Sequence, residues 1–263
     1  MTAPLVFITG ASSGIGQALA AEFYTQGWSL ALVARRADAI ESWAQAQNLD
    51  PSRYATYAAD VADSDSIVAA GQACITAQGL PAMAIANAGV GYGMDSCQRE
   101  DIDSFAAMLQ VNNIGMAATF HPFIAGMKSR GSGKLVGIAS VAAIRGLKGH
   151  GAYCASKSAV VAYCESLRLD LHGSGVQVAT LLPGYVATPL TSKNSYGMPF
   201  MLSAPEFAAR SYRFLAGRSS YGVIPWQMGV VAKLLRLLPN PVYDAIFAKR
   251  GTKKRQAEGG GQA

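Results

Sequence analysis

The sequence predicts a single α/β domain, a doubly wound parallel sheet of about seven strands with helices on both faces. Short β-branched or apolar runs alternate strictly with helix-length stretches, and strands joined through helices pair in parallel with right-handed crossovers. The 263 residues suit one such domain better than two half-sized ones. Hydrophobic residues make up 51% and charged residues 14%, which favours an ordered, well-buried chain over a disordered one.

In chain order, strands are predicted at 5–9, 30–34, 54–58, 82–87, 134–140 and 177–182, and helices between them at 14–26, 37–46, 64–78, 102–127 and 152–172. Residues 184–203 mix Pro, Gly, Ser and Asn with apolar side chains and read as a mobile lid. Helix 204–217, a last short strand at 222–224 and helix 225–238 follow, with Pro239 and Pro241 as its stop. This gives a catalytic domain over 1–224, a helical extension over 225–250 packed on it, and a flexible basic, Gly-rich tail over 251–263. No internal repeat is visible.

No apolar run reaches the roughly 18 residues needed to span a bilayer, despite a mean hydropathy of +0.20. Residues 1–4 lack the pattern of a secretion signal, so a cytoplasmic protein is expected. Cys74, Cys97, Cys154 and Cys164 show no paired spacing, and His121, His150 and His172 form no ligand pattern with them; free thiols and no metal site are expected. The net charge of +6 belongs to the C-terminal end, where residues 233–263 hold seven basic side chains against two acids.

In a doubly wound sheet, ligands gather outside the carboxyl ends of the strands where strand order reverses. Directly after the first strand stands Thr9-Gly10-Ala11-Ser12-Ser13-Gly14-Ile15-Gly16. Glycines there let the backbone approach a pyrophosphate, and the following helix N-terminus offers it unpaired N–H groups. The second strand closes on Ala34-Arg35-Arg36, where a dinucleotide's adenosine ribose would lie. Guanidinium without a carboxylate favours a 2′-phosphate, hence NADP(H) over NAD; two solvated charges opening a helix is the plain alternative. Asp60 and Asn87-Ala88-Gly89 follow the third and fourth strands, where an adenine and a backbone turn would sit.

Ser140 closes the fifth strand, and thirteen residues later Tyr153 and Lys157 share a helical face at i and i+4. An ammonium near a tyrosine stabilises the phenolate and brings its pKa toward the working range, which would make Tyr153 a general acid and base. Ser140 could hold a substrate carbonyl polarised. Taken alone, the pair also fits an amphipathic surface helix; the glycine turn upstream favours chemistry.

With these motifs in order, the chain resembles the short-chain dehydrogenase/reductase family, in its single-domain form built on a Rossmann-type fold. The resemblance spans about 5–224 and rests on the glycine turn, Asp60-Val61, Asn87-Ala88-Gly89, Asn112, Ser140, Tyr153 with Lys157, and Pro183-Gly184 with Thr188. It implies Asn112 as a fourth catalytic member holding a proton-relay water beside Lys157, with Asn113 not in that role. It further implies Pro183, Gly184, Val186 and Thr188 around a nicotinamide, Lys157 also on its ribose, Ser13 and Arg35 at the 2′-phosphate, and a homodimer or homotetramer built on helices 102–127 and 152–172.

The function expected is NADP(H)-dependent interconversion of a carbonyl and an alcohol. An NADP-binding sensor or scaffold without turnover is the other class, opposed by intact Ser140, Tyr153 and Lys157; a sugar-nucleotide epimerase or dehydratase would need a longer chain. Tyr196, Met198, Phe200 and Met201 of the lid, with Tyr92 and Ile144, are expected as an apolar wall for a lipophilic substrate. The C-terminal extension has three readings: internal packing, dimer contact, or a peripheral helix on an anionic membrane surface with Lys249, Arg250, Lys253, Lys254 and Arg255 beside it. Nucleic-acid binding is not expected, because the tail lacks interleaved aromatics or a reading helix.

Overall fold

Alternation of side chains in β1 (Leu5–Thr9) splits the core in two. Phe7 packs into one apolar cluster with Phe120, Phe123 and Leu135, whereas Val6 and Ile8 pack into another with Leu19, Phe23 and Phe207. Every residue of β1 is buried, as expected of a strand covered on both faces. The computed structural model describes residues 3–192, 197–248 and 255.

Seven strands form one parallel sheet in the order β3-β2-β1-β4-β5-β6-β9. They are β1, β2 (Ser29–Ala34), β3 (Tyr54–Ala58), β4 (Met83–Ala86), β5 (Gly133–Ile138), β6 (Val176–Pro183) and β9 (Tyr221–Ile224). Strand order reverses between β1 and β4, which opens the crevice that such sheets use for ligands. Helices α1 (Gly14–Thr25), α2 (Ala37–Ala46) and α7 (Ala204–Ala216) supply Leu19, Phe23, Ile40 and Phe207 to one face. The other face takes Ile67 and Cys74 of α3 (Ser64–Gln78), Phe120 and Phe123 of α5 (Gly115–Arg130), and Val160 and Cys164 of α6 (Gly151–Asp170). Phe7 and Phe123 meet edge to face at 4.8 Å.

Two expectations need correction. The single helix expected over 102–127 is α4 (Glu100–Leu109), one wide π turn over Gln110–Ile114, then α5. The wide turn accommodates one extra residue, a shift that hydrophobic periodicity does not signal. Pro239 and Pro241 do not simply end the helical extension: α8 (Trp226–Leu237) stops, and Pro241 falls in the first turn of α9 (Asn240–Phe247). A proline there breaks no intrahelical bond. Within 184–203, β7 (Val186–Ala187) pairs in parallel with β8 (Leu202–Ser203), and Ser203 with Glu206 forms a capping box that starts α7.

The extension is tied down at Arg145. Its guanidinium donates to the carbonyl oxygens of Leu235 and of Leu238 (2.8 Å) and to Asn240 Oδ1 (3.0 Å), and stacks 3.7 Å over the Tyr243 ring. Tyr243 in turn donates to the Gly146 carbonyl at 2.7 Å. Met228 of α8 packs where a Gly184 side chain would stand, since a Cβ there would lie 2.8 Å from Met228 Cγ. No helix among the described residues is long and apolar enough to cross a membrane.

Candidate active site

The turn after β1 is built for close backbone approach. Gly10 and Gly14 take left-handed conformations with φ of 68° and 57°. A Cβ on Gly16 would collide with the Gly10 carbonyl and stand 2.6 Å from Asn87 Nδ2, and one on Gly10 would stand 2.9 Å from Ala88 Cα. The turn is laced to the end of β4: Thr9 Oγ1 accepts from the Asn87 and Ala88 amides at 3.1 and 3.2 Å, and Asn87 Nδ2 donates to the Thr9 carbonyl at 2.9 Å. Ser13 caps α1 with its own backbone while its side chain makes no cap bond, so the helix N-terminus stays open to an anion.

A groove of about 390 Å³ runs from this turn across the strand ends. Every residue expected at the cofactor except Gly16 lines it, from Ser12, Ser13, Arg35 and Arg36 through Asp60, Val61 and Asn87 to Pro183, Gly184, Val186 and Thr188. Arg35 and Arg36 are exposed at its rim, and Arg36 opens α2. Asp60 is held in place, its Oδ1 accepting from the Ala62 amide at 2.9 Å.

Ser140, Tyr153 and Lys157 line the groove's other end. Ser140 begins a short 3₁₀ turn, its Oγ accepting from the Ala142 amide at 3.2 Å. Lys157 is 6% exposed; its Nζ donates to the Ile138 carbonyl at 2.9 Å and lies 5.9 Å from the Tyr153 ring centre. Burial pushes its pKa down to about 8. Asn112 sits in the wide π turn and faces inward: Nδ2 donates to the Val90 carbonyl (3.0 Å) and Ser156 Oγ (2.9 Å), and Oδ1 accepts from the Val90 amide (2.9 Å). It thereby fixes the loop after β4 against α6, and a Cβ on Gly89 would stand 3.1 Å from Asn112 Oδ1 and 3.3 Å from Lys157 Nζ. Asn113 turns away, donating to the Ser156 carbonyl at 2.9 Å.

A second cavity of about 520 Å³ adjoins the groove, and the two share Tyr92, Ser140, Tyr153, Gly184, Leu190 and Thr191. Its far wall is the C-terminal extension: Met228, Val231 and Leu235 of α8 with Tyr243 and Phe247 of α9. Arg145 and His150 are polar members of that lining, and His150 Nδ1 lies 2.8 Å from the Lys148 carbonyl. The expected wall was different. Tyr92 does line the cavity, but Phe200 and Met201 are 52% and 49% exposed and outside it, Met198 does not line it, and Ile144 packs against the core. Tyr196 lies outside the described residues. Sequence reading missed Met228, Val231 and Leu235 because α8 is apolar on both sides. Their i, i+3, i+7 spacing is a helical stripe, but Trp226, Val230, Leu234 and Leu237 form a second one. Gly91 was missed too: a Cβ there would lie 2.8 Å from Tyr153 Cδ2, so the glycine lets the loop pass flat against that ring.

Sheet order and groove place the chain among the doubly wound dehydrogenases and reductases. More narrowly, the family model for short chain dehydrogenases matches residues 4–198, and the chain belongs to that family of oxidoreductases. An uncharacterized oxidoreductase of Myxococcus xanthus (strain DK1622) is 32% identical over 238 residues, 90% of this chain and 94% of its own. Estradiol 17-beta-dehydrogenase 1 of Rattus norvegicus is 36% identical over 200 residues, 73% of this chain and 57% of the rat protein. A short chain dehydrogenase/reductase from Burkholderia phymatum in complex with NAD matches with a TM-score of 0.80 at 23% identity, covering 94% of this chain and 96% of that one, a likeness of fold.

Proposed function

We propose that this enzyme interconverts a ketone or aldehyde and its alcohol on a lipophilic substrate, with NADP(H) as cofactor. The observation that carries this reading is the shared wall: Ser140 and Tyr153 border both the glycine-lined groove and the mostly apolar cavity. A nicotinamide dinucleotide in the groove would supply or accept the hydride. The residues present fit such a group: Gly10 and Gly16, where a Cβ would strike the β4-end loop or the Gly10 carbonyl, let the turn fold tightly beside the groove, and the uncapped α1 N-terminus faces it. Ser12, Ser13, Gly14 and Ile15 would hold the pyrophosphate and Asp60 with Val61 the adenine. Asn87, Ala88 and Gly89 would form its backbone turn, and Pro183, Gly184, Val186 and Thr188 would enclose the nicotinamide.

In the reducing direction Tyr153 donates its phenolic proton to the substrate oxygen, which Ser140 Oγ holds by a hydrogen bond; in oxidation Tyr153 takes the proton back. The Lys157 ammonium would stabilise the phenolate left behind and would also hold the cofactor's ribose. Asn112 would mark the proton path, holding a water that links Lys157 to solvent. Arg35 and Arg36 at the rim, with Ser13, favour a 2′-phosphate and hence NADP(H). The name of the rat relative, a dehydrogenase of estradiol, is in keeping with the cavity's apolar lining. Residues 184–203 serve as the substrate lid. Ile102 of α4, Ile114 and Leu169 of α6 are 56%, 50% and 65% exposed, which supports a homodimer or homotetramer through these helices.

The test is oxidation of NADPH and NADH against a panel of aldehydes, ketones and sterol-like carbonyls. Turnover of apolar carbonyls with NADPH ahead of NADH is expected. Tight NADPH binding without turnover on any carbonyl would instead favour a nucleotide sensor.

A further inference from the structure

The C-terminal extension is apolar on the side turned away from the cavity as well. Trp226, Val230, Leu234 and Leu237 follow one another along α8 at helical spacing and are 69%, 48%, 60% and 80% exposed; Val242 and Ile246 of α9 add 47% and 56%. Burying none of these six side chains leaves an apolar surface of the kind that marks an interaction site. Its charged neighbours on the described chain are mostly of one sign. Lys233 and Arg236 are exposed on α8, which carries no acid, and exposed Lys148 donates to the Ala248 carbonyl just past α9 at 2.7 Å; Asp244 is the acid of α9.

We propose that this face docks on an anionic lipid surface, with α8 and α9 lying in the headgroup region and Lys148, Lys233 and Arg236 toward the lipid phosphates. The charge pattern selects this occupant. In a two-fold pairing of two copies through the same face, α8 would bring Lys233 and Arg236 against their own kind with no carboxylate of α8 to answer them. An anionic bilayer answers both halves of the pattern, taking up tryptophan and leucine side chains and attracting the cations. The helices are too short to span it, so contact is peripheral. Because the inner side of α8 lines the cavity proposed for substrate, docking would hold that cavity one helix away from the bilayer; its use for a carbonyl compound dissolved in lipid, unlike the docking, rests on the oxidoreductase reading above.

The experiment is flotation of the full-length protein with phosphatidylcholine vesicles and with vesicles holding phosphatidylserine as well, without substrate. The wild type and the triple variant Trp226→Ser, Leu234→Ser, Leu237→Ser are compared, with NADPH binding in solution as the check on folding. The expected result is salt-sensitive flotation with the anionic vesicles only, falling at least about tenfold in the triple variant while NADPH binding is unchanged. No flotation, or flotation that the triple variant keeps, overturns the proposal. So does a concentration-dependent dimer that sedimentation shows in the wild type and not in the variant, with no lipid binding, which would assign the face to a second copy. Because the readout is binding alone, it stands or falls independently of whether any carbonyl is turned over.

Discussion

The Lys157 ammonium sits in the protein against the preference of its own solvation. Burial lowers its pKa from 10.5 to about 8, so the folded chain binds this proton less tightly than the unfolded chain does. Stability is therefore reduced by the buried charge below about pH 8, and that deficit closes as pH rises toward 10.5 and the unfolded chain too loses its proton. Lys157→Met should raise the unfolding free energy of the nucleotide-free protein at neutral pH, by on the order of 2–3 kcal/mol, while turnover falls about a hundredfold or more. Denaturant titrations at neutral and alkaline pH check it: the variant's advantage should vanish at the alkaline end. At Gly16 the expectation is opposite, because a Cβ would enter the Gly10 carbonyl and Asn87; Gly16→Ala should abolish nucleotide binding, measured by fluorescence titration. The placing of Tyr153 and Lys157 along one groove was legible in the sequence because i, i+4 spacing is local. Gly91 was not, since its neighbour is a ring more than sixty positions away.

Among the elements, a clasp joins the segment that follows Ser140 to the α8–α9 turn. Arg145 satisfies carbonyls that end α8 and stacks on Tyr243, both parts of the cavity wall that Ser140 and Tyr153 also line. Arg145→Ala leaves those carbonyls to water and frees the wall. The expected outcome is a loss of about 1–3 kcal/mol in stability and a KM raised several-fold for apolar substrates, with kcat for a small aldehyde little changed. A matching fall in kcat for every substrate would show that the clasp acts on catalysis rather than on the cavity. Strand and helix order was readable from alternating apolar runs, to within a residue or two at most ends. The wide turn at Gln110–Ile114 and the second helix α9 were not, for physical reasons: an inserted residue leaves the apolar pattern intact on both sides, and a proline reads equally as a stop and as a first-turn residue.

For the whole molecule, the reversal of strand order between β1 and β4 opens one crevice where loops from sequence-distant strands meet, the place proposed for both ligands. A ligand that binds only the folded chain raises its stability by mass action, about 2.7 kcal/mol at a hundred times its Kd. NADPH should therefore raise the melting temperature more than equimolar NADH does, and Arg35→Asp should reverse that order, read by thermal shift. The groove proposed for the cofactor was legible because each strand end falls next to its own motif. The cavity proposed for substrate was not: its wall comes from α8 and α9, whose two apolar stripes do not reveal from sequence which one turns inward.

Proton transfer at Tyr153 should accompany hydride transfer in this crevice. The decisive measurement is the turnover number of Tyr153→Phe on the best carbonyl substrate with NADPH, alongside NADPH affinity. A fall of about two to four orders of magnitude with affinity unchanged is expected; turnover within a few-fold of wild type would mean that Tyr153 is not the proton donor.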